Sequence, residues 1–348
     1  MLLKRISKLN NFQFISIVCI IAFGMIMIIS CGGGGDGTAP TPGPTPITYT
    51  GLTTLADVTD NNAQALAAGA FNGGRTSSAL SGLGAVETAT DENTISFRTL
   101  EVSQALEDAL FQLDLSSVSG GPIIGATQTE SGSVSGPCGG TASYTIQVND
   151  QTGVFSGNFS FIDYCADGVI ISGTANFSGT FDLSDPNNPT FETVTLTFSN
   201  LTSGIATMDG TIVIDLSSSP IIVTFNARLR DDSTGKVYKV ENYTMEITEG
   251  SDVGGNYVEV EISSGKYYDP DYGYVAVSTD PLAPFKIYDT DEWPSSGILI
   301  VIGEIGTEGN NTEARLEALD ADTCQITADT DGDLVYDYDS GVLNWTDL

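Results

Sequence analysis

The sequence predicts a mainly-β protein. We expect a long antiparallel meander, shaped as a curved sheet, a sandwich or an incomplete barrel, with two helices at its N-terminal end. Three observations carry this prediction. From Thr141 onward apolar residues recur at every second position, the period of a strand with one buried face. Polar links rich in Gly, Asp and Asn separate the runs, and strands joined so briefly pair antiparallel. A period of 3.6 is confined to the chain before Leu113.

The N-terminal end reads as an address rather than as fold. Lys4, Arg5 and Lys8 precede an uncharged apolar run over 14–29, short for a bilayer span and suited to a signal-peptide core. It closes on Ile28-Ile29-Ser30-Cys31, followed by Gly32 to Gly35. A small residue, then Cys, then a flexible start resembles the lipobox of bacterial lipoproteins, in which the cysteine is acylated and becomes the first mature residue. That family usually carries Leu where Ile28 stands. The resemblance implies a signal peptide over 1–30 and lipidation at Cys31. Gly32 rather than Asp after the cysteine implies the outer membrane, with the protein facing the periplasm or the cell surface. An uncleaved membrane anchor is the other reading. Residues 31–50 then form a Gly/Pro/Thr tether, and its polyproline bias, at ~3.1 Å per residue, reaches about 40 to 50 Å.

A helical segment is expected over 51–120. Asn61 and Gln64 have capping-box spacing, Ala63, Leu66, Ala67, Ala70 and Phe71 form one stripe, and Gly73-Gly74 closes the helix. A second helix is expected over 97–113, with Val102, Leu106, Ala109, Leu110 and Leu113 on one face. Both stripes read as faces that pack on a sheet. Residues 121–348 form the β domain, with a candidate sub-boundary near 265. Its clearest strands hold Ala142 to Val148, Val169 to Phe181, Val194 to Phe198, Ile212 to Leu216, Ile221 to Leu229 and Val258 to Ile262. Between Tyr238 and Ile247 the apolar parity slips, which a β-bulge near Glu241 would produce. Later strands are expected at Ile298 to Ile302, fully apolar, then at Ala314 to Ala318, Ile326 to Ala328, Leu334 to Tyr338 and Leu343-Trp345.

Composition limits the chemistry. Without Lys4, Arg5 and Lys8 the chain keeps 9 Lys and Arg against 45 Asp and Glu, so its charge falls from −33 to −36. No basic surface of the kind that neutralises phosphates follows from that balance, and nucleic acid is not an expected partner. There is no histidine, which removes Ser-His-Asp and Cys-His catalysis and His-based zinc sites.

Cys138 and Cys165 are the best-defined pair. A hairpin centred on Gln151-Thr152 gives antiparallel partners whose numbers add to 303, as those of the two cysteines do. They would face each other within disulfide range. Cys324 shares parity with Ile326 and Ala328 and reads as a buried small hydrophobe. Asp329, Asp331, Asp333 and Asp337 resemble a calcium loop of the Asp-x-Asp-x-Asp type, although Leu334 stands where such loops carry Gly and Ser340 where they carry a bidentate acid. The competing reading is a hairpin turned by Asp331-Gly332, with Ile326 to Ala328 pairing on Leu334 to Tyr336. No other cofactor is expected. Asp269/Asp271 and Asp289/Asp291/Glu292 are carboxylate groups of the kind glycoside hydrolysis uses. Tyr267, Tyr268, Tyr272, Tyr274 and Trp293 read either as a carbohydrate or partner platform or as cross-strand packing.

Over Cys138 to Gly179 the pattern Cys-Gly-Gly, Asp, Gly, Phe-x-x-x-Cys, Gly resembles an uncharacterised family of bacterial lipoproteins. Its members join a helix with an Asn-Ala motif, here Asn62-Ala63, to a two-cysteine hairpin and a long meander. The resemblance brings no activity with it. The expected function is therefore an outer-membrane-anchored lipoprotein held to the membrane by its lipid, a non-catalytic binding or envelope-interaction module for a protein, glycan or lipid. A lipid or lipoprotein carrier with an open β groove is one alternative, and a carboxylate-dependent hydrolase the other.

Overall fold

The computed structural model describes residues 46–78 and 127–348, apart from 150, 167–168, 183, 185–189, 205 and 292. The expected signal peptide, Cys31, most of the expected tether and the expected helix over 97–113 lie outside the described residues. Within them, fifteen strands join into one antiparallel open sheet. Successive hairpins link β1 (Thr127–Ser135), β2 (Gly139–Asn149), β3 (Val154–Ala166), β4 (Val169–Asp182) and β5 (Thr190–Ser203). The meander runs on through β6 (Ala206–Asp215), β7 (Ile221–Asp231), β8 (Val237–Asp252), β9 (Gly255–Asp269) and β10 (Gly273–Thr279). Short β11 (Phe285–Tyr288) folds back onto β9, and β12 (Gly297–Ile305) takes the place beside β10. β13 (Asn311–Ala318), β14 (Thr323–Asp329) and β15 (Tyr338–Asn344) complete the sheet. Position 265 falls inside β9, which bonds to β8, β10 and β11.

The alternation of the sequence becomes a dry face and a wet one. On the dry face Phe155, Phe159, Phe177, Phe181 and Phe198 are buried, with ring centroids 4.7 Å apart for Phe155 and Phe181 and 5.0 Å for Phe159 and Phe177. Glycines stand directly opposite several of these rings. Gly157 faces Phe177, Gly179 faces Phe155 and Gly210 faces Phe198, so each ring lies over a backbone without Cβ. The expected bulge is present: β8 gains a residue between Val240 and Tyr243 relative to β7, and Asn242 takes φ +50°.

Helix α1 (Ala63–Ser78) lies on the dry face over β7 to β10 and β12 to β14. Its buried stripe is Leu66, Ala67, Ala70 and Phe71. The helix starts one position later than capping-box spacing implies: Asn62 accepts from the Thr59 N–H and donates to Asp57 O. Gly73-Gly74 does not close it. A Cβ on Gly69 would meet the Tyr267 ring at 2.4 Å and one on Gly74 the Tyr243 ring at 2.8 Å, so the glycines let helix and sheet approach closely. The Tyr243 hydroxyl fills that interface by donating to Ala70 O at 2.8 Å. At the far end of the helix stripe Phe71 stacks on Trp345, which stacks on Trp293 at 5.5 Å.

Before the helix, residues 46–62 form a strap that begins on the wet face. The Ile47 N–H donates to Asp209, and Arg228 donates to Ile47 O. The strap then rounds the β9–β10 turn, where Leu52 N–H donates to Pro270 O and Leu55 bridges Tyr274.

Ile298 to Ile302 forms the expected apolar strand, with Leu299 and Val301 fully buried and Ile298, Ile300 and Ile302 half-buried on the wet face. A later strand prediction is corrected. Leu334 to Tyr336 is not a strand; pairing on β14 begins with Ala328 opposite Tyr338.

Candidate metal centre

In place of the expected strand over Leu334 to Tyr336, a loop joins β14 to β15. Asp331-Gly332 does not turn a tight hairpin. Eight residues, 330–337, separate the strands, and the loop folds inward around Asp329. Asp329 is 2 % exposed, and its two carboxylate oxygens accept the N–H groups of Gly332 and Leu334, each at 2.8 Å. Asp331 accepts from the Asp333 N–H at 3.2 Å, and Asp333 from the Val335 N–H at 2.7 Å. This succession of Asx turns folds the alternating carboxylates onto one side. One oxygen from each of Asp329, Asp331, Asp333 and Asp337 lies within 4.8 Å of the others.

The departures from the calcium-loop pattern look different in three dimensions. Leu334 occupies the Gly position, yet its φ is +70°, the left-handed conformation such loops require there. An L side chain adopts it at a cost of roughly 1 to 2 kcal/mol. Ser340 is not a ligand: its hydroxyl accepts the Ile326 N–H at 2.9 Å within the β14–β15 ladder. Asp337 supplies the fourth carboxylate of the cluster.

The β12–β13 hairpin braces the loop. Glu308 N–H donates to Asp331 O and Asn310 to Gly332 O, while Gly306 packs so near that a Cβ would lie 2.2 Å from Asp331 O. On the other flank the Tyr336 hydroxyl donates to Glu313 at 2.7 Å, and Arg315 pairs with Glu313 at 2.8 Å. Partial desolvation, then the neighbouring carboxylates of Asp333, Asp337 and Asp329, push the Asp331 carboxyl above its ordinary range. Hard oxygen donors held this close are suited to a hard divalent cation such as calcium, which would relieve their repulsion.

The cysteine pair also departs from its predicted register. Thr141 to Val148 does pair with Ile162 to Phe155 in the expected register. A bulge at Asp163, φ +47°, then shifts the ladder by one, and Gly139 stands opposite Cys165. Cys138 sits in the β1–β2 turn, and the two cysteines still form a disulfide across 27 residues, with a Cα separation of 5.1 Å. Cys324 is buried, and burial pushes its thiol up to about 12.

The structure splits the other predicted groups. Tyr267 and Trp293 point into the dry face; Tyr268 lies on the wet face under Tyr49, at 5.5 Å between centroids. Asp269 is buried in the β9–β10 turn, where it accepts the N–H groups of Asp271 and Tyr272, and burial raises its carboxyl. Asp271 pairs with Lys236, and Asp291 accepts from Ser295 and Thr290; Glu292 lies outside the described residues.

One site went unnoticed in the sequence. A cleft of about 340 Å³ opens on the wet face across β5 to β8, beneath Pro46, with Asp209, Asn226, Arg228, Lys239 and Glu241 on its walls. The available signal was the crowding of Arg228, Arg230, Lys236, Lys239 and Lys266 in a chain so poor in bases. Comparison of the chain with protein-family models, curated proteins and solved structures finds no match.

Proposed function

We propose that the chain is an outer-membrane lipoprotein, acylated at Cys31, whose sheet is a non-catalytic module for binding or for contact with other envelope components. The observation that carries this reading is the way the fold receives the tether. The Pro-rich stretch ends at Pro46, and the next residue is pinned by main-chain bonds to Asp209 and Arg228. A disulfide within the sheet agrees with an oxidising extracytoplasmic compartment.

The filled dry face favours a module over a lipid carrier. Most of its apolar side chains from Ala142 to Ala328 are less than a tenth exposed, with Phe191, Leu216, Ile221 and Val258 partly buried against them, which leaves no open groove for an acyl chain among the described residues. Of the carboxylates considered for hydrolysis, Asp269 and Asp291 accept bonds from neighbouring turn residues and Asp271 pairs with Lys236. Mass spectrometry of the N-terminal peptide purified from native membranes tests the anchor. A thioether-linked diacylglycerol on Cys31 is expected, and Cys31→Ala should move the protein to the soluble fraction. An unmodified Cys31 in a membrane-bound chain would end the proposal. Pulldown from the same membranes, read for proteins and lipids, then identifies the partner class.

A further inference from the structure

The molecule as a whole should be repelled by an anionic bilayer, yet its charge is unevenly placed. Five of the nine basic residues after Cys31 lie together on the wet face of β7 to β9 or in the β7–β8 turn: Arg228, Arg230, Lys236, Lys239 and Lys266. The ladder stacks them, with Arg228 opposite Lys239 and Lys239 opposite Tyr268. At this end of the face the acidic neighbours are Asp209, Asp232, Glu241 and Asp271, with Asp231 and Asp269 buried in the flanking turns, while Glu246, Glu259 and Glu261 lie further along β8 and β9. Three pairs are made, Arg230 with Asp232, Lys236 with Asp271 and Lys239 with Glu241. Arg228 and Lys266 are exposed; the first holds Ile47 O, and the second lies over the Tyr274 ring at 4.9 Å, facing Glu241 across the ladder. The patch is thus close to neutral, on a chain with 45 acidic residues.

From this placement we infer that the Pro46 end of the wet face of β7 to β9 is turned to the membrane, where Arg228, Lys239 and Lys266 meet the phosphates of anionic lipid headgroups. The inference rests on the lipoprotein reading and deepens it. Two independent features converge on one surface: the tether leaves the fold here, at Pro46, and here five of the chain's few bases gather and offset the local acids. Within a Debye length of an anionic surface, a face rich in Lys and Arg is attracted and an acidic one is pushed away. A tether only tens of ångströms long keeps the domain within reach of that selection. The cleft beneath Pro46, walled by Arg228 and Lys239, is large enough for a headgroup phosphate.

The test uses the full lipidated chain from native membranes, reconstituted into phosphatidylcholine vesicles with or without phosphatidylglycerol. Amine acetylation is followed by mass spectrometry at Lys239, Lys266 and, near the opposite end of β9, Lys286. Lys239 and Lys266 should react about fivefold more slowly on the anionic vesicles. The protection should vanish in molar salt and weaken in the Arg228→Gln variant, with Lys286 indifferent throughout. Equal rates on both vesicle types overturn the inference, as does equal protection by inorganic phosphate without vesicles, which would assign the cleft to a soluble anion. A chain that floats with neither vesicle type would instead refute the lipoprotein reading.

Discussion

At the scale of single residues, the helix–sheet contact turns on atoms that are missing. Gly69 lies mid-helix, where Ala ordinarily stabilises by ~1 kcal/mol. Its Cβ would stand 2.4 Å from the ring of Tyr267, which is 6 % exposed and has no room to withdraw. Gly69→Ala should therefore destabilise the fold by about 1 to 3 kcal/mol in chemical denaturation, the usual cost of overpacking. Gly73→Ala is the control: its Cβ would meet a Val240 methyl at 3.1 Å and the Tyr267 ring at an ordinary 3.6 Å, and the loss should be small. A stabilised Gly69→Ala variant would show that helix and sheet pack more loosely than described. Sequence alone misreads this site, because a Gly pair after an apolar stripe has the same signature whether it ends a helix or lets a ring in.

At the scale of elements, hairpin turns carry much of the charge. Asp215 accepts first from the Ser217 hydroxyl and then from its N–H, and Asp320 first from the Thr323 hydroxyl and then from the Asp322 N–H; both carboxyls are held below their ordinary range. Asp182 does the same with the Ser184 N–H and hydroxyl. A carboxyl lowered on folding contributes stability that is complete at neutral pH and fades as pH falls below about 4. Asp269 and Asp331 are raised and oppose the trend, since protonation relieves them on folding. With more turns lowered than raised, the denaturation midpoint should drop as pH falls below about 4, and Asp215→Asn should flatten the fall. A midpoint that holds or rises would contradict the turn assignments. The disulfide is the other local constraint. Replacing both Cys138 and Cys165 by Ser should cost up to about 3.5 kcal/mol, since the bridge closes a loop of 27 residues. The period-2 strands and the β2–β3 register were legible because burial on one face forbids a slip of one residue. Two features were not. β1 reads Thr-Gln-Thr-Glu-Ser-Gly-Ser-Val-Ser, polar on both faces, so it carries no period. The Asp329 loop is spaced by backbone bonds to its own carboxylates and to the β12–β13 hairpin, which no local pattern encodes.

At the scale of the whole molecule, charge and the carboxylate loop have to be separated. Any divalent cation screens a chain that carries 45 acids, so a rise in melting temperature with calcium does not by itself identify a site. A site has two further signatures, saturation and residue dependence. If Asp329, Asp331, Asp333 and Asp337 hold calcium at the ~0.1 to 1 mM typical of extracellular modules, 10 mM calcium should add about 1.4 to 2.7 kcal/mol. Magnesium should add less, since its small octahedral shell tolerates four converging carboxylates poorly. In the Asp331→Asn, Asp333→Asn double variant the saturable part should disappear while general screening remains. Neither residue is fully buried, and Asn retains the Oδ1 that accepts each turn N–H, so the loop should survive the change. Lower pH should weaken binding, because a proton on the raised Asp331 carboxyl competes with the cation. Melting that is the same in calcium and in chelator, or a calcium shift that persists undiminished in the double variant, would leave the loop as a structural turn whose carboxylates serve its own backbone.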